Sequence, residues 1–148
     1  MIKFLAITGS ALLFAPSLFA ADCISMGGTA NTRNLSQTEF VVAMTGDFQG
    51  GAFAKSLSAK QMKDGWTEYQ LEHYFTTEDG SWIKTRDVGR HQKVYENRYY
   101  GETRYQVVDA GGDFAGFRGE MRSWGSFDYG TGDGVLRFEG QLCPDEDA

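Results

Sequence analysis

Apolar and polar residues alternate along most of this chain. The clearest run is Trp66 to Thr77, where Tyr69, Leu71, His73 and Phe75 share one face and Glu68, Gln70 and Glu72 share the other. A period of two is that of a half-buried strand, so the first face is predicted to point inward. Glu78-Asp79-Gly80 reads as a hairpin turn, and Ser81 to Val88 returns as a strand carrying Trp82 and Ile83. Between Tyr105 and Phe127, two alternating runs flank a glycine-rich turn. Val107 and Val108 close the first run, Gly111 and Gly112 allow positive φ, and Phe117, Met121 and Phe127 fall on one side of the second, which predicts a tight hairpin. Gly130 to Gly134 turns the chain into Val135 to Leu142, where Leu136, Phe138 and Leu142 alternate against Arg137, Glu139 and Gln141. Thr38 to Thr45, with Phe40, Val41, Val42 and Met44, is a further strand, closed by the turn Gly46 to Gly51.

Three segments are less regular. Residues 21–37, with Gly27, Gly28, Asn31 and Asn34, read as an irregular lead-in. Ala52 to Met62 fits a short helix or a weak strand equally well. Gly89 to Gly101 is polar and tyrosine-rich, and reads as part strand and part exposed loop.

About eight strands with short turns predict an all-β fold, a single antiparallel barrel over residues 38–143, because closure removes the edges an open sheet would have to protect. Composition agrees. Of 148 residues, 14% are aromatic and 19 are glycine, and Pro144 is the only proline outside the first twenty residues, a mixture that favours curved, paired strands.

Met1 to Ala20 has Lys3 near its start, an apolar run from Phe4 to Phe14, then Pro16 and small Ala20, the layout of an export signal cleaved after Ala20. The run is too short and too interrupted by Thr8, Gly9 and Ser10 for a membrane span, so none is expected after cleavage. A lipid anchor on Cys23 is disfavoured by Asp22 before it. The chain is therefore expected in the periplasm or outside the cell. Cys23 and Cys143 are the only cysteines, and in an oxidising compartment they read as one disulfide joining the ends of the domain. The alternative, reactive thiols or metal ligands, lacks a Cys-x-x-Cys context or a nearby histidine. With Lys3 removed, 13 basic side chains face 20 acidic ones, a balance that excludes nucleic-acid backbones and anionic lipid as natural partners. Residues 144–148 read as a solvated acidic tail.

The stretch from Tyr105 to Gly119 resembles the strand, glycine turn and phenylalanine-containing pattern of the allene oxide cyclase barrel-like superfamily, which includes plant dirigent proteins and exported bacterial relatives. Asp79-Gly80 and Gly101 before that stretch, and Leu136-Arg137-Phe138-Glu139-Gly140 after it, agree with the family's order. The likeness runs from Phe40 to Leu142 and is densest from Gly101 to Gly140. Where that family reads Gly-Gly-Thr-Gly at the turn, this chain reads Asp109-Ala110-Gly111-Gly112. The resemblance implies an eight-stranded barrel with an apolar interior, often trimeric in the plant members. It aligns no cyclase pocket residue and so implies no reaction.

Candidate chemistry centres on His73. Its parity places it inside with Tyr69, Leu71 and Phe75, where an imidazole can orient a ligand or serve as a base, with Tyr69 assisting. The plainer reading is a core histidine bonded to a tyrosine hydroxyl or a backbone carbonyl. His91 reads as exposed. No third ligand accompanies the two histidines, so neither a metal nor a cofactor is predicted. Glu68 and Glu72, on the opposite face, read as solvated, and Arg118 and Arg122 as outward partners of acidic neighbours. Tyr69, His73, Phe75, Tyr95 and Tyr99 form the candidate ligand set.

Three functions follow. The first is non-catalytic binding of a small apolar or aromatic ligand. The second is an interaction module, including a homo-oligomer, and the third is a cyclase- or isomerase-like enzyme using His73. Interior volume separates them, because a cavity of several hundred Å³ would suit a ligand and a filled interior would suit an interaction role.

Overall fold

A computed structural model describes residues 22–145. They form eight strands, β1 (Ile24–Asn34), β2 (Glu39–Gly46), β3 (Gly50–Gln61), β4 (Thr67–Thr77), β5 (Trp82–Tyr95), β6 (Arg98–Gly111), β7 (Phe117–Asp128) and β8 (Asp133–Pro144), with one 3-10 turn at Gly112–Phe114. Each strand pairs antiparallel with the next, and β1 also pairs with β8, so the sheet closes into a barrel. The expected export signal, residues 1–20, lies outside the described residues, as does the acidic tail beyond Asp145. No helix among the described residues is long and apolar enough to cross a membrane.

Alternation places the core. On β4, Leu71, His73 and Phe75 are buried; on β5, Ile83, Thr85, Asp87, Gly89 and His91 are. Burying a side chain such as Ile83 or Leu142, each 0% exposed, is worth roughly 1.5–3 kcal/mol. One rim of the barrel is sealed. Phe48, from the β2–β3 turn, stacks on Phe114 of the 3-10 turn at 5.9 Å and meets Phe75 edge-on at 6.2 Å. The Cys23–Cys143 disulfide sits at this same rim, where β1 begins and β8 ends.

Three sequence expectations change, and one open alternative is decided. The lead-in is not irregular, because Ile24–Asn34 is the strand that closes the barrel, bonded to β2 on one side and β8 on the other. Pairing on both edges satisfies its backbone and outweighs the weak strand preference of its glycines and asparagines. Ala52 to Met62 resolves as strand, paired with β4 through a bulge at Ser56/Ser58. Gly89 to Gly101 carries no long loop: β5 runs to Tyr95 and β6 starts at Arg98, leaving Glu96-Asn97, with Glu96 at φ 46°, as the turn. The glycine turn after β6 is wider than a tight hairpin. Gly111 is extended, Gly112 takes φ 64° and Gly116 φ 78°, and the residues between them carry Phe114 into the core.

Candidate functional site

Away from the sealed rim, the interior holds a cavity of about 140 Å³, open toward the β1–β2 connection at Asn34, Ser36, Gln37 and Thr38. It exists because several inward positions on neighbouring strands carry little or no side chain. Ala30 on β1, Gly89 on β5, Gly101 on β6 and Ser123 on β7 all line it. The room left by the two glycines is shared with neighbours. A Cβ on Gly89 would meet Leu71 Cδ1 at 2.8 Å, and one on Gly101 the Phe127 ring at 2.6 Å. The volume falls below several hundred Å³, yet the interior is not filled.

His73 forms part of the wall and is 4% exposed. Its Nδ1 lies 2.6 Å from Asp87 Oδ2, both side chains being buried. Register explains the contact: Asp87 stands opposite Leu71, and His73 opposite Thr85, so the two are diagonal neighbours on the inner face. The imidazole is held further by Phe75, stacked at 5.3 Å, and by Phe40 and Tyr105, edge-on at 5.4 and 5.0 Å. In the tautomer whose Nδ1–H donates to the Asp87 carboxylate, Nε2 is left as an acceptor. Nε2 makes no hydrogen bond to a described residue. Beneath the ring, Asp87 Oδ1 and Thr85 Oγ1 are buried without a hydrogen-bond partner, a cost the fold carries at this place.

Beside His73, the Tyr105 hydroxyl lies 2.7 Å from Ser123 Oγ, both buried and both lining the cavity. Burial pushes the Tyr105 phenol up to about 12, and the nearby Asp87 charge adds to the shift, so this hydroxyl keeps its proton.

A second cluster stands nearer the open rim. His91 is 6% exposed, not exposed as its polar neighbourhood suggests, because alternation from Ile83 carries it inside. The Tyr69 hydroxyl lies 2.9 Å from its Nε2 and the Tyr129 hydroxyl 3.0 Å from its Nδ1. Tyr99 and Phe127 pack on the same imidazole at 4.8 and 5.6 Å. Burial lowers the His91 pKa to about 4 and raises both tyrosines. The neutral ring therefore donates to one tyrosine and accepts from the other.

These contacts sort the candidate set. Tyr69, His73 and Phe75 line the cavity. Tyr69 does not assist His73 as expected, since its hydroxyl is bonded to His91. The partner of His73 is a carboxylate, not the tyrosine hydroxyl or backbone carbonyl of the plainer reading. Tyr99 belongs to the rim cluster behind the lining, and Tyr95, 64% exposed at the β5–β6 turn, stands outside the site. Asp87, Tyr105, Ser123 and Tyr129 were missing from the set. Extending the alternation of Ile83, Thr85 and Asp87 through Gly89 to His91 would have found both Asp87 and buried His91.

Arg122 and Glu139 form an outward ion pair, and Arg118 lies 3.8 Å from Asp145, as their parity predicts. Among the described residues no three His, Cys, Asp or Glu side chains are grouped to hold a metal. Comparison with known proteins gives no match: no family model fits this chain, and neither a curated protein nor a solved structure matches it.

Proposed function

We propose that this is an exported barrel that binds one small apolar or aromatic ligand in its interior without transforming it. The observation that carries this reading is the cavity of about 140 Å³, walled by Phe40, Leu71, Phe75 and Leu136 and open at one rim. Eight-stranded barrels are just wide enough to be filled by side chains or to hold one small ligand. An apolar cavity of about 150 Å³ in another protein holds benzene, so the size suits a single ring. The disulfide between Cys23 and Cys143 supports export, since such bonds persist in oxidising compartments. The resemblance to the allene oxide cyclase barrel-like superfamily supports the architecture and carries no reaction.

Toluene, titrated into the protein and followed by NMR, tests the reading. Resonances of Val42, Leu71 and Leu136 should shift with a Kd on the order of 0.1–1 mM, as expected for a ligand of so few atoms. Ala30→Phe, which puts a ring into the cavity, should abolish the shifts. Toluene shifts that are absent, or that survive Ala30→Phe unchanged, would place any binding elsewhere.

A further inference from the structure

The cavity lining is mixed: beside its apolar side chains it carries Tyr105, Ser123, Thr103 and Glu102, and among these the His73 imidazole edge narrows the ligand. His73 is fixed by four contacts: the Asp87 carboxylate on Nδ1 and the rings of Phe40, Phe75 and Tyr105. In the tautomer that donates Nδ1–H to the carboxylate, the opposite edge of the imidazole is an acceptor, and Nε2 has no partner among the described residues. A lone pair on the wall of this cavity favours a ligand that brings a hydrogen to it over one of the same shape that cannot.

Charge is selected against in both directions. The one cationic side chain in the lining is Arg90. Its guanidinium lies 3.0 Å from Glu102 and 4.4 Å over the Trp66 ring, and its side chain is 52% exposed, so its charge is directed out of the barrel. A carboxylate ligand would therefore be desolvated without a counter-ion. An ammonium ligand gains little from Asp87, which is 0% exposed and held against His73, or from Glu102, the one carboxylate in the lining, which is already paired with Arg90.

We infer that the barrel is selective for a neutral, single-ring molecule carrying one N–H or O–H donor, and that His73 Nε2 is the acceptor that reads it, positioned by Asp87. This rests on the cavity-binding reading above and adds the chemical class of its ligand.

Four probes of one ring each separate the possibilities at pH 7: aniline, neutral with a donor; toluene, neutral without one; benzoate, an anion; and benzylammonium, a cation. Aniline should bind at least tenfold more tightly than benzoate or benzylammonium. His73→Leu should weaken aniline about tenfold more than it weakens toluene, since only aniline loses a hydrogen bond. In the unaltered protein, the ¹⁵N resonance of His73 Nε2 should move on adding aniline and stay in place on adding toluene. That measurement needs no variant and stands if His73→Leu fails to fold. Equal loss of aniline and toluene in His73→Leu, a charged probe binding more tightly than aniline, or a ¹⁵N shift produced by both neutral probes would overturn the inference and leave cavity binding intact. Failure of toluene and aniline alike to bind the unaltered protein would remove the cavity reading itself.

Discussion

The two histidines show how far a single residue's surroundings decide its chemistry. Both face inward, yet His73 meets a carboxylate and His91 meets two phenols. The inward parity of His73 was legible because Tyr69 to Phe75 alternate cleanly. Its partner was not, since Asp87 lies 14 residues away and only the β4–β5 register makes them diagonal neighbours. His91 carries a pH prediction. Its folded pKa, about 4, lies below the ordinary value of 6.5, so the unfolded chain binds the proton more readily. The stabilising share of His91 is then fully present above pH 6.5 and is lost as pH falls through that value toward 4. Urea unfolding at steps between pH 7 and pH 4 should show the stability difference between the unaltered protein and His91→Gln narrowing across this window. A difference that stays constant would mean the imidazole is not held neutral by burial. Asp79 acts lower still. The Thr77 hydroxyl and the Ser81 backbone N–H hold its carboxyl at about 2, so its share is lost only as pH falls from the usual carboxylate range toward 2.

At the scale of strands, β4 and β8 were readable from alternation, whereas β1 and the β5–β6 hairpin were not. Gly28, Ala30 and Thr32 occupy inward positions of β1, and residues so small leave no hydrophobic contrast for a period of two to register. They are there because strands approach closely. A Cβ on Gly28, at φ 155°, would lie 1.9 Å from the Thr45 carbonyl oxygen, and its partner Gly46 is equally constrained by β1. Gly119 on β7 has the same character, at φ 156°, where an added methyl group would sit only 2.1 Å from the Gln141 carbonyl oxygen. Gly119→Ala should therefore cost about 2–3 kcal/mol, through strain and a backbone clash that no side-chain rotation relieves. Gly116, at φ 78°, has nothing within 4 Å, so Gly116→Ala should cost about 1 kcal/mol, from conformation alone. Chemical denaturation of the two variants compares them directly, and equal losses would show that the close approach at Gly119 is relaxed by movement of β8.

For the molecule as a whole, the disulfide and the β1–β8 pairing hold the same two ends together, one covalently and one through backbone hydrogen bonds. The bond spans 120 residues, and closing a loop of that length restricts the unfolded chain enough to contribute about 5 kcal/mol. Replacing Cys23 and Cys143 with serine should lower Tm by roughly 10–20 °C in calorimetry. A loss of only a few degrees would mean that strand pairing already holds the two ends together in the unfolded ensemble. The sequence alone determined the all-β barrel, the inward face of β4 and the pairing of Cys23 with Cys143, because local alternation, turn residues and a cysteine count of two are properties of the chain read in order. Tertiary structure alone decided that Ile24–Asn34 closes the barrel, that Asp87 meets His73, and that small residues on β1, β5, β6 and β7 coincide to leave a cavity. Each of those depends on the register between strands, and register is fixed by the closed set of backbone pairings, which no single segment contains.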